Sequence, residues 1–492
     1  MEVHIYLLIS AITTIFFYIY LRILKKMKKS SIPGPLSLPF FGTKWQSIDM
    51  SKLHEYFDGL NRKYGDVVME VSGNFPIVSI FKRKDIEKVL STPSQYPFRP
   101  PNEIQSFYRM QNPNRYSSTG IGNEQGPEWL KLRTKLSLKT LENRKFHEAF
   151  CSDLNEICSD FNDVIRSVRN DRNEIINFHE NMRAMSFETN CFFVLGKRGY
   201  GKLEGSEKIA KLTDANMKIM EAIRDTYYGT QFWKYFPTKA YKTFAESEEM
   251  IYDVISDIIE NILIDDAEKA SDTEVTSILE KVVSTEGLDM KDKICGIVDF
   301  LSGSTEAKTA TIMFLLYHIS EHPEVQDKIY KEASSLNEHL TAEDLKKAYY
   351  TRAVLYETFR LTPTAPALAR ILENDFELSG HHVKSGTFVL CQTMVACLKE
   401  ENFDDANSFK PDRWLNTKGE FDTSNLPGSS LVLPFGTGKR ACPGRKFAEV
   451  ELIAIIIKLV RAFKITYESR FEKVFKFIMT PEFPVHMKFE DR

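Results

Sequence analysis

The chain has 492 residues, 42% hydrophobic and 27% charged, with 23 Gly and 20 Pro, which supplies a large core and excludes a disordered, collagen-like or low-complexity chain. Lys+Arg (65) against Asp+Glu (68) leaves a net charge of −3, which gives no footing for nucleic acid or another polyanion. The seven cysteines (Cys151, Cys158, Cys191, Cys295, Cys391, Cys397 and Cys442) include no C-x-x-C pair, so neither a disulfide framework nor a paired-thiolate zinc site is expected, and a reducing compartment fits.

Residues 5–24 read IYLLISAITTIFFYIYLRIL, 20 residues with a single charge, Arg22. A helix of that length spans about 30 Å, the thickness of a bilayer's hydrocarbon core. Lys25, Lys26, Lys28 and Lys29 follow, against Glu2 alone on the other side, so the positive-inside rule puts the body of the protein in the cytosol. A signal peptide is the alternative, but the run is long for one and no small-residue cleavage site follows. Nor is the run Arg- and Ser-rich, as a mitochondrial presequence would be. Residues 1–31 are therefore expected to be a membrane anchor with a basic flank. Residues 32–40, with Pro33, Pro35 and Pro39, are expected as a stiff linker. Residues 41–492 show no repeat and no second linker, and read as one domain.

Within that domain, residues 66–81 and 376–391 predict strands, the first with a turn at Gly73-Asn74. Residues 246–283 carry apolar side chains at helical spacing. Residues 289–321 contain no proline, and a helix of that length would run about 50 Å, enough to cross a domain. Its middle, LSGSTEAKTAT (301–311), is polar and small for a buried helix, which predicts a face on a cavity or ligand. The alternative is an amphipathic surface helix broken at Gly303. Residues 447–463 (FAEVELIAIIIKLVRAF) predict a strongly apolar helix. The expected class is mainly α with small β-sheets, α+β.

Just before that last helix stands Pro434-Phe435-Gly436-Thr437-Gly438-Lys439-Arg440-Ala441-Cys442-Pro443-Gly444-Arg445. A thiol thus sits in a glycine-rich turn at a helix start, where the helix N-terminus and the neighbouring cations favour thiolate. Gly438 and Gly444 let the backbone pass close to something flat. A sulfur ligand to haem iron needs this combination of a persistent anion, room for a planar ring and cations for its propionates. A glycine-rich turn around a buried cysteine is the alternative. The pattern Phe435-x-x-Gly438-x-Arg440-x-Cys442-x-Gly444 resembles the haem-binding signature of the cytochromes P-450.

The resemblance implies a triangular helical domain that holds haem b between the long central helix and the cysteine-loop helix. Cys442 thiolate would be the axial iron ligand, with Phe435 shielding the sulfur. Glu357 and Arg360 match the family's E-x-x-R, and Arg413 lies in place for the third member of a network bracing the cysteine loop. Trp129 and Arg133 match W-x-x-x-R, which holds a propionate; Arg370 and Arg440 are further propionate candidates by position. Where the family usually carries Gly-x-Asp/Glu-Thr, this chain reads Ser304-Thr305-Glu306-Ala307. The acid is present, but a methyl group replaces the alcohol and cannot relay a proton. Thr305, Ser304 or an ordered water are the candidate substitutes.

The implied activity is a monooxygenase taking O2 and two electrons from a redox partner. The implied pocket draws on the loop at 117–121 with Ile121, the aromatic stretch 227–236 with Phe232, Ser304, and the segment with Thr364, Ala365 and Leu368. Tyr96-Pro97-Phe98-Arg99-Pro100 and the 444–449 run resemble the mitochondrial-type clan. Arg352, Arg445 and Lys446 would then form a basic face for an acidic ferredoxin, although Tyr356 stands where that clan carries lysine. Residues 97–129 and 224–259 resemble the branch that makes the active moulting hormone, which implies a steroid substrate entering from the membrane. The leader points to the endoplasmic reticulum and a reductase flavoprotein, the clan to the mitochondrial inner membrane and a ferredoxin; both stay open. So do another sterol, a lipid or a xenobiotic as substrate, an isomerase or dehydratase needing no external electrons, and a non-enzymatic haem carrier.

Overall fold

The computed structural model describes residues 49–72, 75–137, 144–196, 207–227, 231–268, 277–424 and 426–492, with short pieces before residue 49. Of the leader, residues 6, 10–15, 17, 18, 21 and 22 are described; they are helical, and Tyr6, Ile12, Ile15, Phe17, Tyr18 and Leu21 are exposed. Among the described residues no helix is long and apolar enough to cross a membrane. The lysine flank and the Gly73-Asn74 turn lie outside the described residues. The described part of the proline-rich stretch, 32–37, is laid against the first strand rather than standing free. Met69 N–H donates to Pro33 O at 2.8 Å, and a Cβ on Gly34 would meet the Met69 carbonyl at 1.9 Å.

The helices in chain order are α1 (Leu53–Tyr64), α2 (Arg83–Ser91), α3 (Glu103–Gln111), α4 (Gly126–Lys135), α5 (Arg144–Val168), α6 (Phe178–Leu195), α7 (Glu207–Tyr227), α8 (Lys239–Glu268), α9 (Ile278–Val283), α10 (Met290–Glu321), α11 (Pro323–Ser335), α12 (Ala342–Lys347), α13 (Tyr349–Leu361), α14 (Thr393–Cys397) and α15 (Arg445–Ala462). The strands are β1 (Val67–Ser72), β2 (Phe75–Ile80), β3 (Glu174–Ile175), β4 (Leu368–Ile371), β5 (Phe376–Leu378), β6 (His381–Val383), β7 (Phe388–Cys391), β8 (Phe463–Tyr467), β9 (Lys473–Lys476), β10 (Ile478–Pro481) and β11 (Met487–Asp491). Both predicted strand regions are present. The first gives β1 and β2, while the second divides into the β5-β6 pair, a two-stranded sheet of its own, and β7. Strand β7 joins the first region in a sheet of order β1-β2-β7-β4, with β2 and β7 parallel (Ile77 opposite Phe388) and the other pairs antiparallel.

The long helix starts where the sequence marks it. The Asp289 side chain caps it by accepting from the Asp292 N–H at 2.8 Å, and Pro323 opens the next helix. From Thr309 to Leu316 every residue is buried, as befits a helix apolar on all sides. It packs most extensively on α6 and also touches α8, α13 and α15. The 452–460 stretch of α15 is buried throughout, so the helix that follows the cysteine loop is itself core.

Candidate active site

Cys442 lies in the turn between Phe435 and α15. Its N–H donates to Phe435 O at 2.7 Å, and Gly436 and Gly438 hold φ of 68° and 66°, a region closed to most side chains. Gly444 is the N-cap of α15. The other six cysteines are buried, whereas Cys442 alone is exposed. The protein around it pushes the thiol pKa up by desolvation; the Gly444 N–H and the Arg133 charge pull it down. Phe435 packs edge-on to Phe359 of α13 at 5.6 Å.

Beside the thiol four guanidinium groups converge. Arg440 lies 3.8 Å over the ring of buried Trp129 and donates to Pro97 O, Glu124 O and Gln125 Oε1, each at 2.9 Å. Its Nη1 is buried without a hydrogen-bond partner. Arg133 donates to Ala441 O at 2.5 Å, Arg370 to Thr437 O at 3.4 Å, and Arg99 to Gly122 O. Burial and then the charges of Arg99, Arg370 and Arg133 push the Arg440 pKa down to about 9, while Glu124 gives the smallest of the effects. Cations crowded into a half-buried place, with Arg99 and Arg440 depressed by neighbouring guanidinium charges and Arg440 left with an orphaned N–H, form a seat for an anion. Two carboxylates on the rim of a flat ring, with a thiol at hand for its metal, suit this donor set.

The second element of the site is α10, which packs on α15. Its exposed and half-buried stripe runs Phe300, Gly303, Ser304, Ala307, the i, i+3, i+4, i+7 face of a helix, and a Cβ built on Gly303 meets nothing within 4 Å. The polar centre therefore divides. Gly303, Ser304 and Ala307 face open space. Thr305, Glu306, Lys308 and Thr309 turn sideways into protein and find partners there. Thr305 Oγ1 takes a bond from Asn190 at 2.8 Å and donates to Leu301 O at 3.0 Å. Glu306 Oε2 takes one from Arg183 at 3.2 Å. Lys308 pairs with Glu451 of α15 and donates to Thr189 at 2.6 Å, and Thr309 donates to Ser186 at 3.0 Å. Glu306 Oε1 is buried with no partner, and desolvation outweighs Arg183 in pushing this carboxyl's pKa up. The Ser304 hydroxyl bonds back to Phe300 O at 2.7 Å.

Below the cysteine loop, Glu357 is fully buried. It accepts from Arg360 at 2.8 and 2.9 Å, Arg413 at 3.1 Å, the Trp414 indole at 2.8 Å and the Lys410 N–H at 2.9 Å. Arg360 spends its remaining donors on the carbonyls of Cys397, Ala406 and Ser408. Every polar group of the network is satisfied.

Of the sequence-derived pocket residues, Ile121, Ala365 and Leu368 are half-buried, and Thr364 is buried with its carbonyl on Met479 N–H. Phe232 lies on the surface. It is 53% exposed and stacks on Phe236 in an aromatic surface patch with Tyr235, because the short 3-10 turn sends its neighbour Trp233 inward against Phe107 instead. On the proximal side Arg445 and Lys446 are exposed, but Arg445 is held by Glu449 at 3.0 Å and Tyr356 at 3.3 Å. Arg352 is turned onto Leu345 O and the Phe421 ring. Sequence reasoning missed Arg99 as a member of the cation group, Arg183, Ser186, Thr189 and Asn190 on α6, and Glu451 and Trp414. The spacing of Arg183, Ser186 and Asn190 along one face of a buried helix was the available signal.

The Cytochrome P450 family profile matches residues 32–489. The chain belongs to the cytochrome P450 family. As in that family, its cofactor is haem on a cysteine thiolate, and it is a monooxygenase that requires a substrate, O2 and an electron-transfer partner. It is 40% identical over 94% of its length, and 88% of the relative's, to the "Ecdysone 20-monooxygenase" of Drosophila melanogaster. It is 29% identical to "Cytochrome P450 302a1, mitochondrial" of the same fly, over 89% of this chain and 90% of the other. It is also 27% identical to the mouse "1,25-dihydroxyvitamin D(3) 24-hydroxylase, mitochondrial", over 89% and 84%. Within this P450, Cys442 could hold the haem metal, and Arg99, Arg133, Arg370 and Arg440 with Trp129 could hold its carboxylates.

Proposed function

We propose that this P450 hydroxylates a steroid, converting ecdysone to 20-hydroxyecdysone with O2 and two electrons from a redox partner. The observation that carries the reading is the 40% identity, over nearly the whole chain, to a relative named for that reaction. When bound, the haem supplies oxygen activation: one atom enters a C–H bond as hydroxyl, and the other leaves as water with two protons and two electrons. The chain's own residues do the rest. Cys442 would hold the metal, and the four arginines and Trp129 would hold the ring by its carboxylates. Burial raises the Glu306 pKa above the ordinary carboxylate value and so favours its protonated form. Arg183 holds Oε2, so the unpartnered Oε1 is the atom left to give that proton up. Ser304, on the open stripe, is the hydroxyl that stands where the alcohol is missing at Ala307; the Thr305 hydroxyl is committed to Asn190 and Leu301.

Relatives named mitochondrial support a ferredoxin as donor, docking on Arg445 and Lys446, with Arg352 buried deeper than that role needs. Residues 1–31 are read as the anchor and 41–492 as the catalytic domain. Reconstitution tests the whole reading. The holoprotein with ferredoxin and its reductase, or with a microsomal flavoprotein reductase, is given ecdysone, and the product is analysed for one added hydroxyl at carbon 20. Product with ferredoxin alone supports the mitochondrial arrangement; product with the flavoprotein alone supports the reticulum. Turnover without any donor would replace the monooxygenase reading by an isomerase or dehydratase.

A further inference from the structure

One buried cluster has no part in the chemistry above. Arg109 of α3, 1% exposed, sits between two carboxylates, Glu248 of α8 (3% exposed) and Asp299 of α10 (15% exposed), each at 2.8 Å. It also donates to Thr119 O at 3.1 Å and lies 3.2 Å from Cys295 Sγ. The loop that follows α3 presses on the same place. Ile121 N–H donates to Asp299 Oδ2 at 3.2 Å. Gly120, at φ 93°, comes so close that a Cβ there would meet Arg109 Nη1 at 2.2 Å and Asp299 Oδ2 at 2.5 Å.

Two features make this more than a brace. The cluster carries two carboxylates for one guanidinium, an imbalance that a buried place tolerates poorly unless another donor is supplied. Second, the member with surface to spare is Asp299, and it lies at the edge of the open stripe: one turn before Gly303 and two before Ala307, where a Cβ on Gly303 meets nothing within 4 Å. Each carboxylate oxygen can accept a second hydrogen bond. Eight residues of helix rise about 12 Å, so a group bound at Asp299 lies about that far along the helix from Ala307.

We propose that Asp299, held in place by Arg109 and the Ile121 N–H, is a specificity-determining residue that accepts a hydrogen bond from a substrate hydroxyl remote from the reacting carbon. The ligand class is a steroid carrying hydroxyl groups on an otherwise apolar frame. The inference rests on the steroid-hydroxylase reading and sharpens it. Glu248 and Arg109 are positioning residues; Asp299 touches the ligand.

The test is binding to the holoprotein, read from the ligand-induced shift of its haem absorption. The ligands are ecdysone with a set of its mono-deoxy analogues, and a second hydroxylated steroid with its deoxy counterpart. The wild type should bind one deoxy analogue at least about tenfold more weakly than its parent, the weight of one hydrogen bond to a charged acceptor. Asp299→Ala should bring that ratio below about twofold. Glu248→Gln, which disturbs the cluster away from the open stripe, should lower the melting temperature but keep the ratio. Asp299→Asn, closest in shape, serves if the alanine variant does not load haem, and should lower the ratio in the same sense. Equal weakening of every ligand by the Asp299 variants, or no discrimination by the wild type, overturns the assignment. Discrimination on the second steroid pair without any ecdysone binding keeps Asp299 and overturns the ecdysone reading alone.

Discussion

The two walls of the site are held in opposite ways. Around Cys442 the backbone sets the shape, through the Phe435 carbonyl and two left-handed glycines, and four guanidinium groups face inward with little negative charge between them. On α10 the side chains set the shape: Glu306 and Lys308 are buried, and each has a partner on α6 or α15. The first wall is completed only by an anion and a metal; the second is held by partners within the protein, with Glu306 Oε1 the atom left over. Changes on the first should therefore read out in cofactor binding. Changes on the second should read out in stability and in how well electrons are converted to product.

The largest effect belongs to the cysteine wall. Cys442→Ala removes the sulfur but takes nothing from the hydrophobic core clusters, which hold the other six cysteines and not this one. The expected outcome is complete loss of the thiolate signature in the carbon monoxide difference spectrum and of turnover, with far-UV circular dichroism unchanged. A retained signature would place the ligand on one of the six buried cysteines and undo the comparison. Next comes the α10 wall. Lys308→Met leaves Glu451 buried without its cation and should destabilise by about 3–5 kcal/mol, seen as an earlier denaturant midpoint. The double variant Lys308→Met with Glu451→Met should regain most of that loss, because two apolar groups need no pairing. If single and double variants unfold alike, the pair is not what secures this wall.

The contrast also explains what could be read from the chain alone. The cysteine wall is local: Phe435, Gly438, Arg440, Cys442 and Gly444 lie within ten residues, so their order carries the geometry. The long helix was legible for the same reason, with Asp289 as its cap and Pro323 as its stop. The direction of each side chain on that helix was not. Thr305 and Ser304 are adjacent, yet one is turned to Asn190, 115 residues away in sequence, and the other to open space. Only packing against α6 separates them. Phe232 and Trp233 differ likewise by one step of a turn whose phase no periodicity records. Arg99 joined the cation group only when the loop at 96–100 was laid over the cysteine turn.

Glu306→Gln separates the two roles of the α10 wall. The folded protein raises this carboxyl's pKa, so folding binds its proton more tightly than the unfolded chain does. For a raised acid the stabilisation is full below the unfolded pKa and is lost as pH rises toward the folded value. The glutamine variant cannot titrate, so its melting temperature should fall less between acid and neutral pH than that of the wild type. The Arg183 contact survives through the amide oxygen, while the proton source is gone; product per electron should drop by about tenfold or more. A variant with unchanged product yield would assign proton delivery elsewhere, to Ser304 or water.

The smallest effect tests the gap at Ala307. Its methyl faces the open stripe, next to a Gly303 around which nothing lies within 4 Å, so a threonine here has room. A hydroxyl at 307 has two uses. It can bond back to the residue 303 carbonyl, as Thr309 and Thr311 do to the carbonyls four residues before them, and it can still accept a bond from a water in the cavity. The second use gives Glu306 and Ser304 a further step toward the reacting face without moving either. Ala307→Thr is therefore expected to raise product per electron by about twofold and lower peroxide release, a modest gain beside the 10²–10⁴-fold of a complete general acid. An unchanged ratio would refute the expectation that the missing alcohol at 307 loosens the coupling of electrons to product.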